Sequence, residues 1–87
     1  MALPEIRGTN GNDTLNAPAG GAALFGLNGD DLLIGSADGD ILNGGLGNDS
    51  MLGNAGDDSM RGRDGNDTLN GGQGADLMKG ELGNDVY

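Results

Sequence analysis

The sequence has no cysteine, no histidine and no tryptophan. Without cysteine there is no disulfide framework and no thiolate metal site. Without histidine the usual zinc ligand and the usual general base are both missing. Phe25 and Tyr87 are the only aromatic residues, and 4 basic residues stand against 14 acidic ones. Nucleic acids are gripped by Lys and Arg on their phosphates and by aromatic rings on their bases, so no nucleic-acid partner is expected. No apolar run approaches the roughly 18 residues of a membrane-spanning helix. The opening residues, Met1 to Arg7, lack the basic and apolar regions of a cleavable signal peptide.

What the chain has is glycine and negative charge: 20 glycines and a formal net charge of −10 in 87 residues, enough for one small domain. On composition alone this reads as a disordered segment. So dense a negative charge favours cations as partners.

Periodicity overrides composition. From Gly8 to Tyr87 the chain keeps an unbroken nine-residue frame, typified by Gly44 to Leu52, Gly-Gly-Leu-Gly-Asn-Asp-Ser-Met-Leu. Position one is glycine in every unit except at Ala17, and position four in every unit except at Asp38. Position six is Asp13, Ala22, Asp31, Asp40, Asp49, Asp58, Asp67, Asp76 and Asp85. Position eight is always apolar, from Leu15 to Tyr87, with leucine or methionine between. The second unit, Ala17 to Phe25, is the most degraded, and the ninth stops one residue short. Residues 1–7 form a lead-in in which Ile6 falls at position eight, so Glu5 to Arg7 can add a first strand while Met1 to Pro4 fray. Residues 8–87 form the repeat array, with no linker, second domain or separate cap expected.

Each unit divides in two. Positions one to six are rich in Gly, Asn and Asp and read as a turn, because glycine supplies positive φ and Asn and Asp tolerate it. Asp38 is expected to sit in that left-handed region. Positions seven to nine carry the bulky residues and read as a three-residue strand whose position eight faces in. Glycine at every fourth or fifth residue excludes helix, at about 1 kcal/mol each. Strands so short must stack, and the economical solution is a coil of two units, 18 residues, with parallel strands about 4.8 Å apart. The expected fold is all-β: a two-sheet parallel β-solenoid with position eight packed between odd-unit and even-unit sheets. Leu32, Ile34 and Leu52 then face outward on one sheet, Phe25 and Ile41 on the other.

One inward side chain, worth about 2 kcal/mol when buried, serves nine residues of backbone, so the core alone is thin. Stacking also aligns the position-six carboxylates in two rows, Asp13, Asp31, Asp49, Asp67 and Asp85 in one and Asp40, Asp58 and Asp76 in the other, above Ala22. Each stacked pair offers two carboxylates plus turn carbonyls outside the sheet ladder. Candidate carbonyls are those of Gly8, Gly11, Gly26, Gly29, Gly44, Gly47, Gly53, Gly56, Gly62, Gly65, Gly71, Gly74, Gly80 and Gly83. A hard, flexible, all-oxygen set suits Ca²⁺ better than Mg²⁺, which demands tight octahedral geometry. The expectation is about six calcium sites, with a seventh impaired by Ala22. Six ions would bring +12 against the chain's −10, so calcium binding and folding are expected to be one event.

These units resemble the calcium-binding nonapeptides of the RTX (repeats-in-toxin, haemolysin-type) family, a pattern well known for its glycine and aspartate spacing. The resemblance covers Gly8 to Tyr87. It implies a right-handed parallel β-roll with calcium held between stacked loops by position-six aspartate and turn carbonyls. It further implies an extracellular bacterial protein exported by type I secretion, of which this chain is a C-terminal part. Ala17, Ala22 and Asp38 depart from the pattern.

Other readings compete. Asp30, Asp57 and Asp64 lie outside position six and read as solvated turn residues. No EF-hand loop is present. Ser36, Ser50 and Ser59 have no histidine partner and Lys79 is the only lysine, so the segment is not expected to be an enzyme, although it could be the non-catalytic tail of a secreted hydrolase. An adhesive or ice-binding solenoid needs a regular row of like side chains. Position two, running Thr9, Pro18, Leu27, Ser36, Gly45, Asn54, Arg63, Gly72 and Glu81, is not one. Uncapped coil ends are expected to invite end-to-end self-association.

Overall fold

Position eight sets the architecture. A chain that places one apolar residue in every nine, flanked by strand-forming neighbours and six turn residues, can bury it only by coiling. The computed structural model describes residues 3–81, 83 and 85–87. Its nine strands are β1 (Glu5–Arg7), β2 (Thr14–Asn16), β3 (Ala23–Phe25), β4 (Leu32–Ile34), β5 (Ile41–Asn43), β6 (Ser50–Leu52), β7 (Ser59–Arg61), β8 (Thr68–Asn70) and β9 (Leu77–Lys79). Every strand falls on positions seven to nine of its unit. Glu5 to Arg7 does form the first one; Met1 and Ala2, half of the start expected to fray, lie outside the described residues.

Alternate strands stack in parallel, in the orders β1-β3-β5-β7-β9 and β2-β4-β6-β8, and Val86 bridges Thr68 beyond β8. The register never slips from 18 residues: Leu24 pairs with Leu42 and Leu42 with Met60, while Leu33 pairs with Met51 and Met51 with Leu69. A slip of one residue would turn every position-eight side chain out to solvent. The core is the resulting double ladder of Leu24, Leu33, Leu42, Met51, Met60 and Leu69 with Ala22, and Ile6, Leu15, Ala17 and Met78 close its ends. On the outer faces Ile41 and Leu52 are exposed, and Leu32, Ile34 and Phe25 are half-buried. Phe25 lies under the Arg7 guanidinium, 5.3 Å from the ring centre.

The bonds between coils fix which carbonyls remain available. Position-seven N–H groups donate to position-six carbonyls one coil back, as from Leu32 to Asp13 and from Thr68 to Asp49. Position-one N–H groups donate to position-nine carbonyls one coil on, as from Gly8 to Phe25. This ladder runs past the position-one and position-four carbonyls.

The turns take two main forms. In the six units that begin at Gly26, Gly44, Gly53, Gly62, Gly71 and Gly80, positions two and four are both left-handed, from φ 64° at Asn54 to φ 105° at Gly83. Leu27, Asn54, Arg63 and Glu81 adopt this conformation without being glycine, a strained choice for side chains with a Cβ. In the units that begin at Gly8 and Gly35, neither position is left-handed. The expectation for Asp38 is therefore corrected: it stands at position four but does not occupy the left-handed region. Its turn is held instead by the Ser36 hydroxyl, which accepts the Asp38 N–H at 3.1 Å.

Candidate metal centre

The two-unit coil places odd turns along one edge of the roll and even turns along the other. The position-six side chains accordingly form two rows: Asp13, Asp31, Asp49, Asp67 and Asp85, and Ala22, Asp40, Asp58 and Asp76. Asp31, Asp40, Asp49, Asp58 and Asp67 are only 1–3% exposed, an unusual depth for unpaired carboxylates.

Each carboxylate after Asp13, the first of its row, reaches back one coil. The N–H of Asp13 donates to Asp31 Oδ1 at 2.7 Å, that of Asp31 to Asp49 Oδ1 and that of Asp49 to Asp67 Oδ1, both at 2.8 Å, and that of Asp67 to Asp85 Oδ1. Along the other edge Asp40 donates to Asp58 and Asp58 to Asp76. Ala22, which has no carboxylate, still donates its N–H to Asp40 Oδ1 at 2.9 Å. One oxygen of each carboxylate thus belongs to the fold.

The other oxygen does not. Among the described residues, Oδ2 of Asp31, Asp49, Asp58 and Asp67 is buried with no hydrogen-bond partner. Leaving a buried acceptor unmet costs about 1–3 kcal/mol, more when it is charged. Burial, with the neighbouring carboxylates adding to it, pushes Asp49 up to about 8, Asp58 up to about 7 and Asp67 up to about 6, against the backbone N–H donors that act the other way. Asp31 is raised as well, chiefly by burial.

The position-one glycines face these oxygens. A methyl group built on Gly26 would stand 2.6 Å from Asp31 Oδ2 and 2.8 Å from the Gly44 carbonyl oxygen one coil on. On Gly53 it would meet Asp58 Oδ2 at 2.6 Å and the Gly71 carbonyl oxygen at 2.7 Å. The orphaned carboxylate oxygen and a position-one carbonyl of the next loop therefore converge on one space. No three acidic residues converge anywhere among the described residues, so a cation here must draw on carbonyls as well as carboxylates. Position-four carbonyls also stack closely: a methyl on Gly29 would lie 2.5 Å from the Gly11 carbonyl oxygen.

This geometry joins two departures that look independent in the sequence. Position one must be glycine where position six is aspartate, because Oδ2 of that aspartate occupies the space a Cβ would take. The unit with Ala17 at position one is the unit with Ala22 at position six, and there no carboxylate competes for the space.

The sequence reading missed a second ladder, at position five. Asp30, Asn48, Asn66 and Ala75 donate their N–H groups to the side-chain Oδ1 of Asn12, Asp30, Asn48 and Asp57, each one coil back, at 2.8–2.9 Å. Asp30 and Asp57 are thus exposed but fixed, and not simply solvated; Asp64 is exposed. The signal was present as a column of Asn and Asp beside position six.

The donor set is hard oxygen throughout, buried, anionic and short of positive partners. That is the chemistry of a calcium site, in which carboxylates and carbonyls supply most of the coordination. No curated protein matches the sequence. A family model describing four copies of the RTX calcium-binding nonapeptide repeat matches residues 5–21, 19–51 and 52–87. With the stacked aspartate rows, the 18-residue coil and that match over almost all of its length, the chain belongs to the RTX calcium-binding repeat family.

Proposed function

We propose that the chain is a calcium-dependent folding module of a secreted protein, with no catalytic chemistry of its own. The carrying observation is the set of four buried carboxylate oxygens without partners, stacked at the coil repeat. The same rows that close the fold through Oδ1 oppose it through Oδ2, because like charges about one strand spacing apart repel. A divalent cation between loops supplies the missing partner and neutralises the rows. Position-six aspartates of neighbouring coils and the position-one and position-four carbonyls hold it.

A module of this kind stays unfolded where free calcium is scarce and folds where it is abundant, which fits export through a narrow channel followed by folding outside the cell. Type I secretion and a place toward the C-terminus of a larger protein are part of this proposal, supported by the family. End-to-end association through the edge strands β1 and β9 belongs to it too, since open parallel edges template further strands.

Far-UV circular dichroism during a calcium titration tests the reading. Coil in chelator and a cooperative gain of β signal on adding calcium are expected. A chain already β-structured in chelator at neutral pH would overturn the coupling of binding to folding. Sedimentation in calcium that finds only monomer at high concentration would remove the association.

A further inference from the structure

Burial does not separate the aspartates whose outer oxygen is orphaned from those in which it is satisfied. Asp40 is 2% exposed, as deep as Asp31 or Asp58, yet its Oδ2 has a donor. The difference lies at position two. The Ser36 N–H donates to Asp40 Oδ2 at 2.7 Å, and the Ser36 hydroxyl lies 3.3 Å from both carboxylate oxygens. Thr9 does the same to Asp13: its N–H donates to Oδ2 at 2.6 Å and its hydroxyl lies 3.1 Å from both oxygens. In both turns the N–H of position four donates to that hydroxyl at 3.1 Å. This fills an acceptor site on the hydroxyl oxygen and leaves its single proton for the carboxylate. These are the two turns in which positions two and four are not left-handed.

Thr9 and Ser36 are the only hydroxyl residues at position two. Their carboxylates are also the first in each row. Asp13 begins the odd row, and Asp40 follows Ala22 in the even one. In the left-handed turns the outer oxygens of Asp31, Asp49, Asp58 and Asp67 have no such donor.

We propose that Thr9 and Ser36 stand in for a cation in the first carboxylate loop of each row. The chain then takes up four calcium ions, one for each orphaned oxygen, and not one for each of the six stacked aspartate pairs. A cation at Asp13 or Asp40 would have to displace an N–H and a hydroxyl proton whose positive ends already point at the oxygen. At Asp31, Asp49, Asp58 and Asp67 it meets a buried oxygen with nothing to displace, while Asp76 and Asp85 are the last of their rows, each without a stacked aspartate loop beyond it to complete a pair. The hydroxyl turns thereby close the N-terminal end of each row without metal. This inference rests on the calcium-binding reading above.

Calcium stoichiometry at saturation, read by native mass spectrometry and by isothermal titration calorimetry, tests it. The wild-type chain is expected to take up four ions. Thr9→Gly and Ser36→Gly, which give position two the residue found at Gly45 and Gly72, are each expected to raise the count to five, with circular dichroism confirming the fold. A wild-type count other than four, or folded variants that both remain at four, would overturn the proposal. Six ions with calcium-driven folding would remove this inference alone, whereas no calcium uptake would remove the calcium-binding reading with it. The wild-type count decides the matter without any variant that fails to fold.

Discussion

Asp49 carries two loads at the centre of its row. Its Oδ1 accepts the Asp31 N–H, and its own N–H donates to Asp67. Asp85 accepts from Asp67 at the last loop of the row. Asp49→Ala is therefore expected to raise the calcium midpoint of folding more than Asp85→Ala, by about 10–100-fold, since loss of even an outer-shell partner costs that much in metal affinity. Equal shifts in paired circular dichroism titrations would argue against stacked, shared loops. The same residues set the pH response. Asp49, Asp58 and Asp67 hold their protons more tightly in the coil than at the ordinary value of 3.8. Folded-state pKa values above the unfolded ones mean that the coil binds more protons than the unfolded chain. The proton's stabilising contribution to the metal-free coil is complete below about 4 and is lost as pH rises through about 6 to 8. In calcium-free buffer, β signal is expected to be greater at pH 5 than at pH 8. In calcium the order reverses for affinity, because proton and cation compete for one oxygen. A metal-free chain equally unfolded at both pH values would contradict the assignment of these buried carboxylates.

At the scale of the element, each turn and strand is a small unit whose parts constrain one another. In the second turn, Ala22→Asp alone drives a carboxylate toward the Ala17 methyl and is expected to destabilise the calcium-loaded fold by about 1–3 kcal/mol, the usual range for overpacking. Ala17→Gly with Ala22→Asp restores the pairing found in every other unit, and the double variant is expected to recover most of that loss. A double-mutant cycle in urea should therefore give a coupling of about 1 kcal/mol or more, and additive effects would show that the two departures are independent. The strands depend on one rung each. Leu42→Ala, at a position with no exposure, is expected to cost about 2–5 kcal/mol. Leu52→Ala, outward-facing and 38% exposed, is expected to cost about 0.5 kcal/mol or less. Urea denaturation in saturating calcium measures both.

Over the whole molecule the coil is quasi-one-dimensional, each turn meeting only the turns 18 residues before and after it, as in other solenoids. Binding at one loop pins the two coils that form it and so prepares the next, which makes the calcium titration cooperative. Ion choice follows from the loops as well. Their oxygens come from two separate coils and from carbonyls set by the backbone, a spread-out arrangement that a small ion with strict octahedral geometry fits poorly. Magnesium at the concentration where calcium completes folding is expected to leave the chain largely unfolded. Full β signal in magnesium alone would show that charge neutralisation, without specific coordination, drives the fold.

The nine-residue frame was enough to place every strand, the 18-residue register and both rows of aspartate, because a period-two strand with one apolar position has a single way to bury it. The family resemblance was legible for the same reason: four columns in phase leave little freedom. What the frame does not carry is how a turn responds to the atoms beside it. Ala17 and Ala22 are five residues apart and look like separate losses, but in the coil one explains the other through a shared volume. Asp30 and Asp57 look like solvated turn residues, but stacking brings the next coil's N–H to each. Asp38 looks like a tolerated left-handed residue, but Ser36 removes the need for that conformation. The sequence determined the coil and its charge, since both follow from periodicity. Only the tertiary structure decided which carboxylate oxygens are satisfied and which are left for a cation, because that depends on donors delivered from the adjacent coil and on a turn form chosen at position two.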